Sequence, residues 1–121
     1  MNDQPASLSI PELQERIRAF RDERDWMQFH NHKDMAAALA IEASELQELF
    51  LWKNRGEVQE VAATRQERLR EELADVAVYL LELADNLGID LSEAILSKLA
   101  KNALKYPVEK SKGSNAKYTE L

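Results

Sequence analysis

Apolar residues recur at helical spacing along most of the chain, which predicts an all-α protein. Leu13, Ile17 and Phe20 follow the i, i+4, i+7 pattern of one helix face. Residues 9–12 precede them and have the Ser-x-x-Glu form of a capping box, which marks the start of a helix. We therefore expect a first helix from about residue 9 to residue 25.

Three further helices are predicted from the same periodicity and from their start and stop signals. They cover residues 32–53, 64–87 and 90–107. Residues 64–67 form a second capping box, Gly88 is a C-terminal stop, and Pro107 ends the last helix. Residues 54–56 indicate a break, and 57–63 show no clear preference. Four helices joined by mostly short links predict a four-helix bundle.

An acidic residue lies in the middle of the apolar face of the second predicted helix. At about 100° per residue, five apolar side chains fall within about 60° of Glu42 on the helical wheel. They are Met35, Ala38, Leu39, Leu46 and Leu49. Glu45 lies about 60° to one side of Glu42. An ionised carboxylate that faces the core costs free energy, so we expect an interaction that offsets this cost.

The third predicted helix repeats this arrangement. Glu72 is flanked on the wheel by Leu69, Val76, Tyr79 and Leu83. Asp75 lies about 60° to one side of Glu72 on the wheel, the same side that Glu45 takes relative to Glu42. One such acidic pair is usually a solvated helix face, but two matched pairs inside apolar stripes favour a shared site. If the two helices pack together, the four carboxylates converge and require protons or a cation.

The composition of the proposed ligand set favours a hard divalent metal. All four ligands are carboxylates, which suits Mg²⁺ or Mn²⁺. Di-iron bundles use Glu-x-x-His motifs, whereas the third residue along is Glu45 or Asp75 here, so that alternative is disfavoured. Such a site suits phosphoryl or nucleotidyl chemistry, in which a bound metal neutralises phosphate oxygens and activates water.

The bulk composition narrows the class of protein. The 121 residues suffice for one domain and carry a net charge of −6, which argues against a nucleic-acid polymer or an anionic membrane as partner. There is no cysteine, and no apolar run of membrane-spanning length, so we expect a cytoplasmic protein. The predicted organisation is a flexible lead (1–8), a helical domain (9–107) and a flexible polar tail (108–121). A bundle that commits central faces to carboxylates has little apolar interior, so association into an oligomer is expected.

Aromatic and polar residues elsewhere complete the candidate site. The connection at 26–32 contains two aromatics and two imidazoles, which is unusual because connections tend to be small and polar. Its aromatics either plug the end of the bundle or supply a stacking wall for a base. Lys98 and Asn102 share an apolar helix face on the fourth predicted helix.

Several motifs together resemble a known family. Glu42-x-x-Glu45 followed by Glu72-x-x-Asp75 is similar to the motif of the all-α, MazG-like nucleoside triphosphate pyrophosphohydrolases. Residues 23–30, 49–53 and 97–107 are similar to the dCTP pyrophosphatase branch, and the resemblance covers residues 20–107. It implies Mg²⁺-dependent hydrolysis of a deoxynucleoside triphosphate, dCTP or a modified dCTP, to the monophosphate and pyrophosphate. It also implies dimers or dimers of dimers.

The resemblance assigns roles to individual residues. The metal ligands and catalytic residues would be Glu42, Glu45, Glu72 and Asp75. The base would lie near Trp26, His30 and Trp52, and the sugar and phosphates near Tyr79, Lys98 and Asn102. Many relatives have a second Glu where this chain has Ile41, which leaves the number of metals open, and Glu48 is a candidate accessory ligand. The alternatives are a broad-specificity NTP or dUTP pyrophosphatase, a phosphoribosyl-ATP pyrophosphatase, or a non-catalytic helical oligomer with a structural cation.

Overall fold

A computed structural model describes residues 7–121, and these residues form helices and turns without any strand. The helices are α1 (Ile10–Glu23), α2 (His32–Glu48), α3 (Arg55–Thr64), α4 (Gln66–Asn86), α5 (Leu91–Lys105) and α6 (Val108–Ser111). Short 3-10 turns span Met27–Phe29 and Tyr118–Glu120. The all-α prediction is confirmed. The predicted flexible lead lies outside the described residues except for its last two positions.

Side-chain caps begin three of the predicted helices at the expected positions. At the start of α1, the Ser9 hydroxyl accepts the backbone N–H of Glu12 at 3.3 Å, and the Glu12 carboxylate accepts the backbone N–H of Ser9 at 3.2 Å. The Asn31 side chain accepts the backbone N–H of Asp34 at the start of α2, and Asp90 caps α5 in the same way. These caps satisfy N–H groups that a helix cannot bond internally.

The second helix is shorter than predicted. It ends at Glu48, and the backbone N–H groups of Leu49 and Phe50 then bond to the carbonyls three residues earlier, Leu46 and Gln47. Trp52 has φ 62, in the left-handed region that terminates helices. The prediction of helix to residue 53 is therefore wrong, because hydrophobic periodicity continues past the point where the backbone turns.

A helix that the sequence did not predict, α3, follows this turn. Asn54 is its N-cap rather than a stop: its side chain accepts the backbone N–H of Glu57, and the Glu57 carboxylate accepts that of Asn54. The predicted capping box at 64–67 is wrong. Thr64 instead ends α3 and donates its hydroxyl to the Glu60 carbonyl, and Arg65, before α4, makes no side-chain cap.

The described chain divides into two compact units after Gly88, whose φ of 69 suits the end of α4. In the first unit, α4 packs most extensively against α2 and also contacts α1 and α3. Met35 on α2 is the largest fully buried side chain, with Val61 and Ala84 also in the core. Arg18 joins α1 to α4 through two hydrogen bonds to Asp85, of 2.8 and 3.0 Å.

The second unit contains α5, α6 and the final turn. Tyr106 and Tyr118 meet edge to face with ring centroids 6.2 Å apart, and the Lys105 ammonium lies 5.0 Å from the Tyr118 ring. The tail therefore includes a turn of α-helix and an aromatic contact, while its predicted flexibility stays a prediction. Between residues 7 and 121, no helix combines the length and apolar character that crossing a bilayer requires.

Candidate metal and nucleotide site

Three of the four predicted ligands come together where α2 packs against α4. Glu42, Glu45 and Glu72 each place one carboxylate oxygen so that the three atoms lie within 4.8 Å of one another. Glu42 and Glu45 are half-buried, and Glu72 is 3% exposed. The i, i+3 spacing puts the first two on one face of α2, and the packing of the helices brings the third across from α4.

Two oxygens of this cluster are buried and lack a hydrogen-bond partner within the described chain: Glu42 Oε2 and Glu72 Oε2. The other Glu72 oxygen pairs with Arg68 at 2.8 Å. Buried carboxylate oxygens are rarely left without a partner, and hard divalent cations prefer oxygen ligands of this kind. The donor set and its unsatisfied oxygens therefore fit a divalent cation.

The electrostatics of the cluster lead to the same conclusion. Burial is the main cause of the raised pKa of Glu42, and the neighbouring Glu45 raises it further. Burial also raises the pKa of Glu72, which the positive charge of Arg68 partly offsets. The charge of Asp75 raises the pKa of both residues. Without a cation the cluster therefore resists full ionisation, as expected for carboxylates that share a site.

Asp75, the fourth predicted ligand, lies at the side of this cluster. Its oxygens do not belong to the set of three within mutual reach, although its charge acts on Glu42 and Glu72. Asp75 is exposed and lines an adjacent cavity of about 230 Å³. A second cavity of about 350 Å³ shares four lining residues with the first: Ile17, Phe20, Asp75 and Val78. Asp75 thus links the carboxylate cluster to a pocket.

The cavity beside Asp75 is lined largely by aromatic and apolar side chains. Its other lining residues are Ile17, Phe20, Arg21, Trp26, His30, Val78, Tyr79 and Glu82. The Trp26 ring meets Phe20 edge to face at a centroid distance of 5.8 Å and lies 6.4 Å from the His30 ring. Burial, followed by the charge of Glu42, raises the pKa of Tyr79. Three residues that the sequence suggested for substrate binding, Trp26, His30 and Tyr79, therefore share one pocket.

Three polar residues at this pocket were not predicted from the sequence: Arg21 and Glu82, which line it, and Asn86, which bonds to both. Arg21 and Glu82 are 7% and 4% exposed, although both are charged. Glu82 Oε2 accepts a hydrogen bond from Asn86 at 3.2 Å and lies 2.8 Å from Nδ1 of His30. A signal was present, because Asp75, Tyr79 and Glu82 follow the i, i+4, i+7 spacing of one helix face.

The remaining predicted site residues are Trp52, Glu48, Lys98 and Asn102. Trp52 is 91% exposed and is not among the residues lining the cavity with Trp26. Glu48 is exposed at the end of α2. Lys98 and Asn102 lie on α5 in the second unit, four residues apart, where Asn102 is half-buried and Lys98 exposed. Contact of Trp52, Lys98 and Asn102 with substrate stays a prediction.

Comparison with known proteins identifies the class. Residues 37–121 match the profile of the MazG-like family. The chain belongs to the MazG-like family.

Its relatives include curated enzymes and a solved structure. Over 104 residues it is 46% identical to dCTP pyrophosphatase 1 of Rattus norvegicus, an alignment that covers 84% of this chain and 61% of that protein. Over 123 residues it is 43% identical to dCTP pyrophosphatase 1 of Bos taurus, covering 97% of this chain and 73% of the relative. The chain thus spans less than two thirds of the rat protein. A pyrophosphatase from Archaeoglobus fulgidus has the same fold, with a TM-score of 0.79 and 38% identity over 88% of this chain and 99% of that one.

Proposed function

We propose that this protein hydrolyses a deoxynucleoside triphosphate, dCTP or a modified dCTP, to the monophosphate and pyrophosphate. The observation that carries the proposal is the position of an aromatic pocket beside a cluster of carboxylates with unpartnered buried oxygens. The dCTP pyrophosphatase 1 relatives support this substrate. In this reaction, water adds to the α-phosphorus. The bond from that phosphorus to the oxygen that bridges to the β-phosphorus breaks, and pyrophosphate leaves.

The carboxylate cluster would hold the metal. Glu42, Glu45 and Glu72 are the ligands that we propose, with Asp75 as the fourth, and Mg²⁺ is the expected ion, with Mn²⁺ as an alternative. A metal held there would supply charge neutralisation for the phosphate oxygens and activation of water. The acidic residues bring no positive charge of their own, so they can accept a triphosphate only together with a cation.

The aromatic pocket would hold the nucleoside. Trp26 offers the largest ring surface for stacking, and its position beside His30 leaves room for a planar base in the adjoining cavities. Tyr79 lines the same cavity and lies one helical turn after Asp75 on α4, which suits a contact with the sugar. We propose that Lys98 offsets triphosphate charge and that Asn102 assists it.

We also propose that copies of the chain associate as a dimer or as a dimer of dimers. Many large apolar residues are exposed in residues 7–121, among them Phe29, Ile41, Leu96, Leu104 and Trp52. By contrast, the buried apolar residues in that range are Met35, Val61 and Ala84. Association would bury part of the exposed apolar area. Cytoplasmic localisation stays a prediction.

Product analysis across the four dNTPs and dUTP with Mg²⁺ tests the proposal directly. We expect pyrophosphate and dCMP from dCTP at the highest rate. Equal rates on all nucleotides would favour a broad NTP pyrophosphatase, and a preference for dUTP would favour a dUTP pyrophosphatase. Release of inorganic phosphate in place of pyrophosphate would contradict the proposal.

Thermal unfolding distinguishes an enzyme from a scaffold with a structural cation. The unfolding temperature is measured without additions, with Mg²⁺, and with Mg²⁺ together with dCTP. A nucleotide-binding enzyme gains further stability from the nucleotide, because a ligand stabilises the state that binds it. A scaffold responds to Mg²⁺ and ignores the nucleotide.

A further inference from the structure

A network of polar side chains connects α1, through α4, to the aromatic pocket. The Arg21 guanidinium donates through Nη1 to Asn86 Oδ1 at 3.0 Å, and Asn86 Nδ2 donates to Glu82 Oε2 at 3.2 Å. His30 Nδ1 lies 2.8 Å from the same Glu82 oxygen. The charged members, Arg21 and Glu82, are both more than nine-tenths buried, whereas His30 faces the pocket.

The direction of each hydrogen bond in this network follows from the Arg21 guanidinium, where the network begins. A guanidinium only donates, so the Asn86 oxygen must face Arg21 and the Asn86 amide N–H must face Glu82. Glu82 Oε2 therefore already accepts one hydrogen bond, and the Arg21 Nη1 atom lies 3.9 Å away from it. An oxygen in this environment is an acceptor, so the proton between Glu82 and His30 belongs to His30 Nδ1.

This arrangement fixes which tautomer of His30 faces a ligand. The Arg21 guanidinium pairs with Asp22 at 2.8 Å and lies 3.9 Å from Glu82 Oε2. A neutral imidazole is sufficient for the hydrogen bond to Glu82, because its protonated nitrogen is a donor. The tautomer of a histidine is set by the hydrogen bond that one of its nitrogens makes. With the proton on Nδ1, Nε2 carries a lone pair, and it has no hydrogen-bond partner among residues 7–121.

We propose that Glu82, held by Arg21 and Asn86, is a positioning residue that keeps His30 Nε2 as a hydrogen-bond acceptor, and that the pocket thereby selects a base with an exocyclic amino group. This inference rests on the proposed nucleotide function. Cytosine carries an amino group at the position where uracil carries a carbonyl oxygen. A lone pair on Nε2 attracts the amino group and repels the carbonyl oxygen.

The tautomer is measured directly by ¹⁵N NMR of the histidine side chains at mildly alkaline pH. The chain has two histidines, His30 and the exposed His32, so His32 serves as an internal reference. We expect the wild-type protein to show a protonated Nδ1 and an unprotonated Nε2 at His30. A protonated Nε2 at His30, with or without a proton on Nδ1, overturns the proposal.

Base selection is measured by the binding of dCMP and dUMP, which need no turnover and differ in the relevant group. One hydrogen bond between neutral groups corresponds to about a tenfold preference, so we expect dCMP to bind about ten times more tightly than dUMP. If the wild-type protein binds the two equally, the proposal is overturned. Absence of dNTP hydrolysis would reject the proposed function separately, because neither the NMR signal nor the binding ratio depends on hydrolysis.

Two variants test whether Glu82 positions His30 or only supports the structure. The double variant Arg21→Met/Glu82→Leu removes both buried charges together, a change that buried ion pairs often tolerate. It should release His30 from the Nδ1–H tautomer and bring the dCMP-to-dUMP ratio close to one. Glu82→Gln keeps an oxygen acceptor and should retain both the tautomer and the preference. An unchanged ratio in the double variant, or a lost preference with the tautomer intact in Glu82→Gln, overturns the proposal.

Discussion

Glu42 on α2 and Glu72 on α4 each hold a buried carboxylate oxygen that has no hydrogen-bond partner in the described part of the chain. With Glu45 they form a cluster in which one carboxylate oxygen of each residue lies within 4.8 Å of the other two. Two segments distant in sequence thus create an electrostatic cost that neither helix has alone. A cation between them would turn this repulsion into a link between the helices.

Removing one carboxylate from the cluster should abolish turnover without unfolding the protein. We expect Glu42→Gln and Asp75→Asn to lower kcat more than about a hundredfold, because even loss of a residue that only supports a metal ligand costs 10–100-fold. Steady-state pyrophosphate release measures this, with circular dichroism as the check on helix content. As a matched control, Glu71→Gln, at an exposed position next to Glu72, should leave kcat within about twofold. Full activity in Glu42→Gln would refute the proposed metal site.

The stability of the metal-free protein should decrease as pH rises above the ordinary carboxyl value of 4.5. The pKa values of Glu42 and Glu72 are higher in the folded chain, so in this window the folded state binds more protons than the unfolded state, and raising the pH favours unfolding. Mg²⁺ replaces those protons, so the increase in unfolding temperature that it causes should grow with pH. Thermal melts with and without Mg²⁺ across this range provide the measurement.

The variant Glu72→Gln is the control for this pH dependence. It removes one of the two groups with a raised pKa and leaves the Arg68 side chain with an oxygen to bond. The pH-dependent loss of stability should become smaller than in the wild-type protein, and so should the response to Mg²⁺. An identical pH profile in both proteins would mean that the loss arises elsewhere.

Trp26→Ala should weaken substrate binding and base selection more than it lowers kcat. Stacking of a base on an aromatic side chain contributes about 1–3 kcal/mol, so KM should rise about 5- to 150-fold. Steady-state kinetics on dCTP and dTTP measure both effects. Trp26→Phe retains an aromatic ring and should recover most of the loss. An unchanged KM and an unchanged preference in Trp26→Ala would exclude this residue from the base pocket.

Asn54→Ala should destabilise the protein through α3, whereas Thr64→Ala should not. Loss of an N-cap costs about 1 kcal/mol, which corresponds to a decrease of about 3–6 °C in unfolding temperature for a domain of this size. The Thr64 hydroxyl bonds only to the Glu60 carbonyl within the same helix, so its removal should change stability by less than about 0.5 kcal/mol. Thermal unfolding of the two variants side by side distinguishes the caps, and the reverse order would contradict the assignment.

The helices α1, α2, α4 and α5 and the acidic cluster follow from local patterns in the sequence. Glu42 and Glu72 could be recognised because a carboxylate within an apolar stripe conflicts with burial, and such conflicts mark functional sites. The cap at Ser9 and the stop at Gly88 could be recognised for a similar reason, since few residue types satisfy a helix end.

The features that sequence reasoning missed depend on nonlocal structure or on competition between neighbouring signals. Asn54 and Thr64 both precede a Glu three residues later, and only the packed chain determines which one caps a helix. Arg21 and Glu82 lie on different helices, so their common burial appears only when α1 packs against α4. The exposure of Trp52 likewise depends on the turn after α2.

The oxidation rate of Met35 can be used to measure motions of α2, the helix that carries Glu42 and Glu45. Its thioether is shielded from solvent, whereas that of Met27 is in a side chain 44% exposed. Peroxide converts methionine to the sulfoxide only where it reaches the sulfur, so Met35 should react only during transient opening of α2, while Met27 reacts continuously. The ratio of the two oxidation rates, followed by mass spectrometry, therefore reports how often this helix detaches, and a bound cation that links α2 to α4 should slow the oxidation of Met35 alone.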